Sequence, residues 1–350
     1  MKLFSKKQKD VTKQDLIDAL RFVQNPTTEK DIFESGIVNT TAVCDNIAKI
    51  VVSLDPITIK FKNKFKVEIE HQLRKLPLKE FKVEFLDPVP PKPKAPEASA
   101  KIKNIIAVAS GKGGVGKSTV ATNLSLALSK KGFTVGLLDA DIYGPSIPLM
   151  MQKTGVQPEA TQEGEIFPIE NYGIKMMSVG FISQPGEAVV WRGPMIHKLL
   201  SEFFSKVLWG ELDYLVVDLP PGTGDAQLSL SQLIPLTGAV IVTTPQDVAL
   251  VDVDKSVAMF KKVNVPILGV IENMSTFVCP QCGHEEEIFS HGGGEKAAFQ
   301  WGNIFLGSLP LKTSIRKSGD AGNPFVLEET SEESKSLFKI TENLTKSLVK

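Results

Sequence analysis

The 350-residue sequence predicts an α/β fold, a mostly parallel sheet with helices on both faces, preceded by a small α+β domain. Three observations carry this expectation. From residue 103 onward, apolar β-branched runs alternate with helical patterns, as in strand–helix–strand units of a parallel sheet. Within that region the stretch IIAVASGKGGVGKSTVATNLSLALSKKGFTVGLLDAD, residues 105–141, reads as strand, glycine loop, helix and strand in direct succession. Residues 87–101, DPVPPKPKAPEASAK, hold five prolines between Pro88 and Pro96. Proline stiffens the chain and cannot donate to a ladder, so this is a semi-rigid spacer between residues 1–86 and 102–350.

In the front part, Leu16, Leu20 and Val23 repeat at helical spacing over 15–23. Two strands, 36–43 and 47–54, pair around Asp45-Asn46, followed by a helix over 65–76 and a strand over 81–85. In the larger part, Ile105 to Val108 form a buried strand. The helix over 117–130 carries Val120, Leu124, Ala127 and Leu128 on one face. A strand over 133–138 runs into Asp139 and Asp141, and a helix after Ile142-Tyr143-Gly144-Pro145-Ser146 ends near Met151. Ile166-Phe167 and 174–179 read as a hairpin, 195–207 as a helix, and 212–217 as a buried strand ending in Asp218. Strands at 239–242, 267–271 and 304–306, with a helix at 248–262, complete the sheet. The last helix, 331–348, lines up Leu337, Ile340, Leu344 and Leu348. No internal repeat is visible.

Bulk properties exclude several classes. Lys+Arg and Asp+Glu both total 40, so a zero net charge leaves no electrostatic footprint for nucleic acid or an anionic membrane. No apolar run reaches the length of a membrane span, and no signal-peptide core is present. The last helix mixes Glu332, Glu333, Lys335, Lys339, Glu342 and Lys346 with its apolar stripe, as a docked helix does and a membrane anchor does not. The Lys-rich start, MKLFSKKQKD, reads as a tail. Three cysteines are too few for a disulfide framework and suggest reduced thiols. The expectation is a soluble cytoplasmic protein with neither nucleic acid nor membrane as partner.

The glycine loop carries the chemistry. Gly111-Lys112-Gly113-Gly114-Val115-Gly116-Lys117-Ser118 fits G-x-x-x-x-G-K-S between a strand and a helix, the context of a phosphate-binding P-loop. Glycines turn backbone N–H groups onto one anion, and the helix N-terminus adds partial positive charge. Lys117 then reaches the terminal phosphates, Ser118 ligates Mg²⁺, and Thr119 adds to the nucleotide site. Tyr214-Leu215-Val216-Val217-Asp218 has the Walker B form, an apolar strand carrying an acid toward the magnesium shell.

Lys112, directly after the first glycine, sharpens the assignment. KGGVGKS resembles the deviant Walker A family of MinD, ParA, nitrogenase iron protein and the Mrp/ApbC carriers. The resemblance implies a P-loop ATPase that binds and hydrolyses ATP in a homodimer, with Lys112 reaching across to the partner's nucleotide. It implies that Asp141 orients the attacking water, that Asp139 supports magnesium, and that Asn273 hydrogen-bonds adenine. Leu219-Pro220-Pro221-Gly222-Thr223-Gly224-Asp225 resembles the family's switch II. The front part is similar in order and size to the small iron–sulfur assembly domain that precedes Mrp ATPases. It departs from that domain where Gln24-Asn25-Pro26-Thr27 replaces an acidic motif and Asp55-Pro56 replaces a cysteine. Cys44, elsewhere, reads as a packing residue.

Cys279-Pro280-Gln281-Cys282 supplies two thiolates, whereas zinc or a cubane cluster takes four positions. A twofold axis between two such pairs makes a four-thiolate site. A single chain could instead add His284 and His291 for a structural zinc, or use the pair as a redox dithiol. The stretch VCPQCGHEEEIFSHGGGEKAA resembles the Mrp/ApbC segment that bridges a labile 4Fe-4S cluster. The resemblance spans about residues 103–322. It implies an iron–sulfur cluster carrier with Cys279 and Cys282 as ligands, whose partners are apo iron–sulfur proteins and cluster assembly scaffolds. The rivals are a MinD/ParA-like ATPase switch with a structural zinc at the cysteines, and a nitrogenase-type reductase, which would need cluster cysteines at two separated sites.

Overall fold

A computed structural model describes residues 11–28, 30–44, 46–55, 57–86, 101–182, 193–222 and 224–348. The chain divides into two compact units, Met1–Pro90 and Pro91–Lys350. The proline-rich spacer, apart from Lys101, lies outside the described residues, as do the Lys-rich start, Asp45, Pro56 and Thr223.

The first unit contains α1 (Lys13–Leu20), β1 (Val38–Cys44), β2 (Ile47–Ser53), α2 (Lys62–Leu73) and β3 (Glu80–Leu86). β2 is central, antiparallel to β1 and parallel to β3. An eight-residue helix is marginal alone, and α1 is held by reciprocal capping. The Thr12 hydroxyl accepts the Asp15 N–H at 3.2 Å, and the Asp15 carboxylate accepts the Thr12 N–H at 2.9 Å. Alternation along β2 turns Ala48, Ile50 and Val52 inward against Leu16, Leu20, Phe65, Ile69 and Leu73.

The second unit begins with β4 (Ile102–Ala109), α3 (Lys117–Lys130), β5 (Val135–Asp139), α4 (Ile147–Met150), β6 (Ile169–Asn171) and β7 (Ile174–Ser178). It continues through α5 (Gly193–Ser205), β8 (Leu212–Asp218), α6 (Asp225–Leu233), β9 (Gly238–Thr243) and α7 (Asp247–Lys262). Last come β10 (Ile267–Val278), β11 (Glu285–Glu286), α8 (Gly293–Gln300), β12 (Phe305–Leu311), α9 (Thr313–Asp320) and α10 (Glu332–Leu348). The nine-stranded sheet runs β11-β10-β9-β4-β8-β5-β7-β6, with β12 also on β10. Only β6 and β11 pair antiparallel. β4, β5, β8 and β9 are nearly all buried, as expected of strands covered on both faces. Register places Asp139 opposite Asp218, and Asp218 opposite Val108. The C-terminal ends of β4, β5 and β8 therefore converge, where open α/β sheets place their ligands.

Several expectations need correction. The hairpin is formed by β6 and β7, and Ile166 instead makes single bridges to Ala160 and Val207. Tyr172 (φ 49°) and Gly173 (φ 78°) form a two-residue turn of the type that matches strand twist, and this turn sets the register. β10 extends past residue 271 to Val278, and β12 runs through Pro310, tolerable where a strand pairs on one side. Helices α6, α8 and α9 were not expected. α8 opens on two glycines after an N-cap glycine, and α9 buries no residue, so neither shows an apolar period. Among the described residues no helix is long and apolar enough to cross a membrane. α10 docks through buried Leu337, Ile340 and Leu344.

Candidate functional site

The loop after β4 is shaped by glycines at three positions. Gly114 and Gly116 sit at φ 80° and 81°, which only glycine adopts without strain. A Cβ on Gly111 would lie 2.5 Å from the backbone of Asp252 in α7. On Gly116 it would meet the Asn273 side chain. The loop is thus clasped between α7 and β10. α3 begins at Lys117 with no side-chain cap, so its first N–H groups are left for an anion. A cleft of about 210 Å³ lies over the loop, lined by Lys112, Gly114, Lys117, Ser118, Asp141 and Pro221 among others. A second cavity of about 270 Å³, which shares Gly116 and Thr119 with the first, is walled by Asn273, Met274, Leu311 and Arg316.

Inside the first cleft the charges are buried and close. The Lys117 ammonium is 2.5 Å from Asp218 Oδ1 and 3.5 Å from Asp141 Oδ2, with the Ser118 hydroxyl at 3.4 Å. Among the described residues, Asp218 Oδ2 and Asp141 Oδ1 are buried without a hydrogen-bond partner. Burial raises the Asp218 carboxyl above the usual range, against the pull of Lys117. Asp139 is pushed up to about 7, by burial first and by the Asp218 charge second. Both Asp139 oxygens are engaged. Oδ1 accepts the Asp141 N–H at 3.1 Å, while Oδ2 accepts the Ile147 N–H at 3.3 Å and the Ser178 hydroxyl at 2.9 Å. Through these bonds Asp139 holds the loop that carries Asp141.

Two residues taken as nucleotide contacts hold the loop itself. The Asn273 amide donates to the Val115 carbonyl at 2.8 Å, and Asn273 also lines the second cavity. It lies within β10 rather than after it, beside Met274 at φ 58°. The Lys112 ammonium is 3.4 Å from Gln246 Oε1 at the start of α7. Among the described residues Lys112 forms no ion pair. The loop following β8 is tied to β4, because Leu219 and Gly222 donate to the Val108 and Ser110 carbonyls, each at 3.0 Å. The side chain of Asp225 lies outside the described residues, as does that of Cys44.

Cys279 follows β10 directly, and the chain returns through β11, so the cysteines occupy the turn of a short hairpin. Cys279 N–H donates to the His284 carbonyl and Gly283 N–H to the Cys279 carbonyl, both at 2.9 Å, with Gly283 at φ 73°. The N–H groups of Cys282 and then Gln281 point at the Cys279 sulfur and lower its thiol below the ordinary value, with the Cys282 thiol adding to this. Both thiols are free, Cys279 half-buried and Cys282 exposed. His291 lies 3.7 Å from the buried Glu272 carboxylate. Among the described residues no group of three or more His, Cys, Asp or Glu side chains is arranged to hold a metal ion. Sequence reasoning missed Gln246 and Glu272. An acid inside an otherwise apolar strand was the signal for Glu272.

A family model described as NUBPL iron-transfer P-loop NTPase matches residues 101–345. A second, for an iron–sulfur cluster assembly protein, matches residues 13–85. The chain is similar to an iron–sulfur cluster carrier protein of Deinococcus radiodurans, 42% identical over 313 residues, 89% of this chain and 88% of the relative. One from Haemophilus influenzae is 54% identical over 226 residues, 65% of this chain and 61% of the relative. The fold is similar to that of a nucleotide-binding protein from Archaeoglobus fulgidus in complex with ADP. That match has a TM-score of 0.60 and 38% identity, covering 69% of this chain and 94% of the other.

Proposed function

The chain belongs to the NUBPL iron-transfer P-loop NTPase family, and from that premise we propose that it carries iron–sulfur clusters as an ATP-hydrolysing homodimer. The observation that carries the proposal is the cysteine hairpin. Its two thiols are free, the Cys279 sulfur is approached by backbone N–H groups, and no third ligand stands beside the pair among the described residues. A cubane takes four protein positions, so two hairpins related by a twofold axis complete one 4Fe-4S site. A zinc held by one chain would need His284 and His291 beside the thiols, and among the described residues no such group of three or more ligands is assembled.

The residues divide the nucleotide chemistry as follows. Loop N–H groups between Gly113 and Ser118 and the start of α3 bind the phosphates of ATP. Lys117 exchanges its carboxylate partners for the terminal phosphates, a stronger concentration of charge. The donor set fits Mg²⁺: the Ser118 hydroxyl and the unpartnered Asp218 Oδ2 would hold it, with phosphate oxygens and water completing the shell. Bound there, Mg²⁺ would supply charge neutralisation at the transferred phosphoryl group. Asp141 Oδ1, also unpartnered, orients the attacking water, with Asp139 fixing its loop. Asn273 and the second cavity receive the adenine, and Thr119 lies between the two clefts. Lys112 serves the partner's nucleotide. Residues 1–86 form an assembly-type module joined by the spacer 87–101 to the ATPase domain 102–350. The recipients are apo iron–sulfur proteins, the donors assembly scaffolds, and the setting the cytoplasm.

The test is transfer. Full-length protein loaded anaerobically with iron and sulfide is mixed with an apo-ferredoxin, and the acceptor's own absorbance is followed. The parent should convert the acceptor and Cys282→Ala should not. A loaded parent that retains its iron against the acceptor contradicts the proposal.

A further inference from the structure

Glu272 and the three glycines that follow the cysteine hairpin have no part in the chemistry above. Glu272 lies in β10 next to Asn273, and its side chain is fully buried. Its two oxygens grip the far side of the hairpin: Oε1 accepts the Gly292 N–H at 3.2 Å and Oε2 accepts the Gly294 N–H at 2.7 Å. These N–H groups open α8, where a carboxylate is favoured by the unsatisfied donors and the helix dipole. Each glycine is demanded by this grip. Gly292 sits at φ 73°. A Cβ on Gly293 would lie 2.4 Å from the Pro245 carbonyl oxygen, and on Gly294 3.1 Å from Glu272 Cβ.

Two links therefore join the phosphate loop to the base of the cysteine hairpin. In the first, Asn273 holds the Val115 carbonyl while its neighbour Glu272 holds Gly292 and Gly294. In the second, Gln246 holds Lys112 while its neighbour Pro245 abuts Gly293. The hairpin is thus fixed at its outgoing end by β10, and the chain that leaves β11 is fixed by Glu272 at Gly292 and Gly294. A shift of the loop on nucleotide binding is passed through packed backbone to β10 and to the Gly292–Gly294 turn, which flank the hairpin on its two sides.

We infer that Glu272 is the positioning residue that couples nucleotide state to the cysteine hairpin, through its clamp on the Gly292–Gly294 turn. The inference deepens the carrier reading by naming what links ATP to cluster hold and release. Coupling between sites is reciprocal, so cluster loading and nucleotide affinity change each other by one factor.

The measurement is hydrogen exchange over residues 279–296 of the full-length protein, with and without ADP and Mg²⁺. It needs no iron, so failure of the carrier reading leaves it readable. In the parent, nucleotide should slow exchange in this segment by about fivefold or more, the low end of ordinary coupling. Glu272→Gln keeps the shape but turns an amide N–H toward one of the two donors. It should bind ADP as the parent does and lose the exchange response. A lowered melting temperature would follow from any buried defect; loss of the nucleotide response with binding intact would not. His291→Ala, which leaves both N–H bonds, should respond like the parent. If Glu272→Gln does not fold, Gly294→Ala, whose methyl would press on the same carboxylate, carries the same expectation. A parent with no nucleotide response in the segment, or a folded clamp variant with the full response, overturns the inference.

Discussion

At the scale of single residues, Cys279 is the thiol that its backbone surroundings perturb. Its sulfur faces backbone N–H groups of Cys282 and Gln281, and a thiol held below its ordinary value forms thiolate at lower pH. In a Cys282→Ala protein those N–H groups remain. The alkylation rate of Cys279 by iodoacetamide should then reach half its plateau at a pH below that of an unperturbed thiol. A midpoint at or above the unperturbed value would show that the hairpin does not preorganise the sulfur. The two loop lysines should separate in the same way. Lys117→Ala removes the buried ammonium between Asp218 and Asp141 and should abolish tight ADP binding in a titration. Lys112→Ala removes a side chain that, among the described residues, bonds only Gln246, so ADP binding should survive. ATP turnover should fall at least about tenfold, a small effect beside those of cations supplied in trans elsewhere. Parent-like turnover in Lys112→Ala would remove the support for a shared nucleotide site.

At the scale of elements, β10 does the most, and the sequence disclosed it least. Its first five residues read as a strand because they are apolar, but Glu272, Asn273 and Ser275 interrupt that run. They are polar because each binds backbone elsewhere: Glu272 the start of α8, Asn273 the P-loop, and Ser275 the Leu309 carbonyl. Such long-range bonds leave no trace in periodicity. Asn273→Ala frees a buried carbonyl and should lower stability by about 1–3 kcal/mol in urea unfolding while weakening ADP binding. Unchanged stability would mean that the amide does not hold the loop. The opposite case is 105–141, where apolar runs, glycines and helical spacing all agree, and α3 spans the same residues in sequence and structure. The site was legible as far as it follows a local pattern: Lys117, Ser118, Asp218 and the cysteine pair. That Asp139 bonds Ser178 depends on the pairing of β5 with β7, 39 residues on, and no spacing announces it.

At the scale of the whole molecule, each unit has its own core, one around Leu16, Ile50 and Phe65 and the other around the large sheet. A chain beginning at Ala98 should therefore stay soluble and bind ADP like the full protein. Failure to fold would show that the units depend on one another. The central claim is the cluster shared by two subunits through Cys279 and Cys282. The direct measurement is iron and acid-labile sulfide per dimer after anaerobic reconstitution, together with absorbance in the visible, for the parent, Cys279→Ala and Cys282→Ala. Roughly four irons per parent dimer are expected, with almost none in either variant and ADP binding intact in all three. About one tightly held zinc per monomer, retained in Cys279→Ala, would contradict the shared cluster.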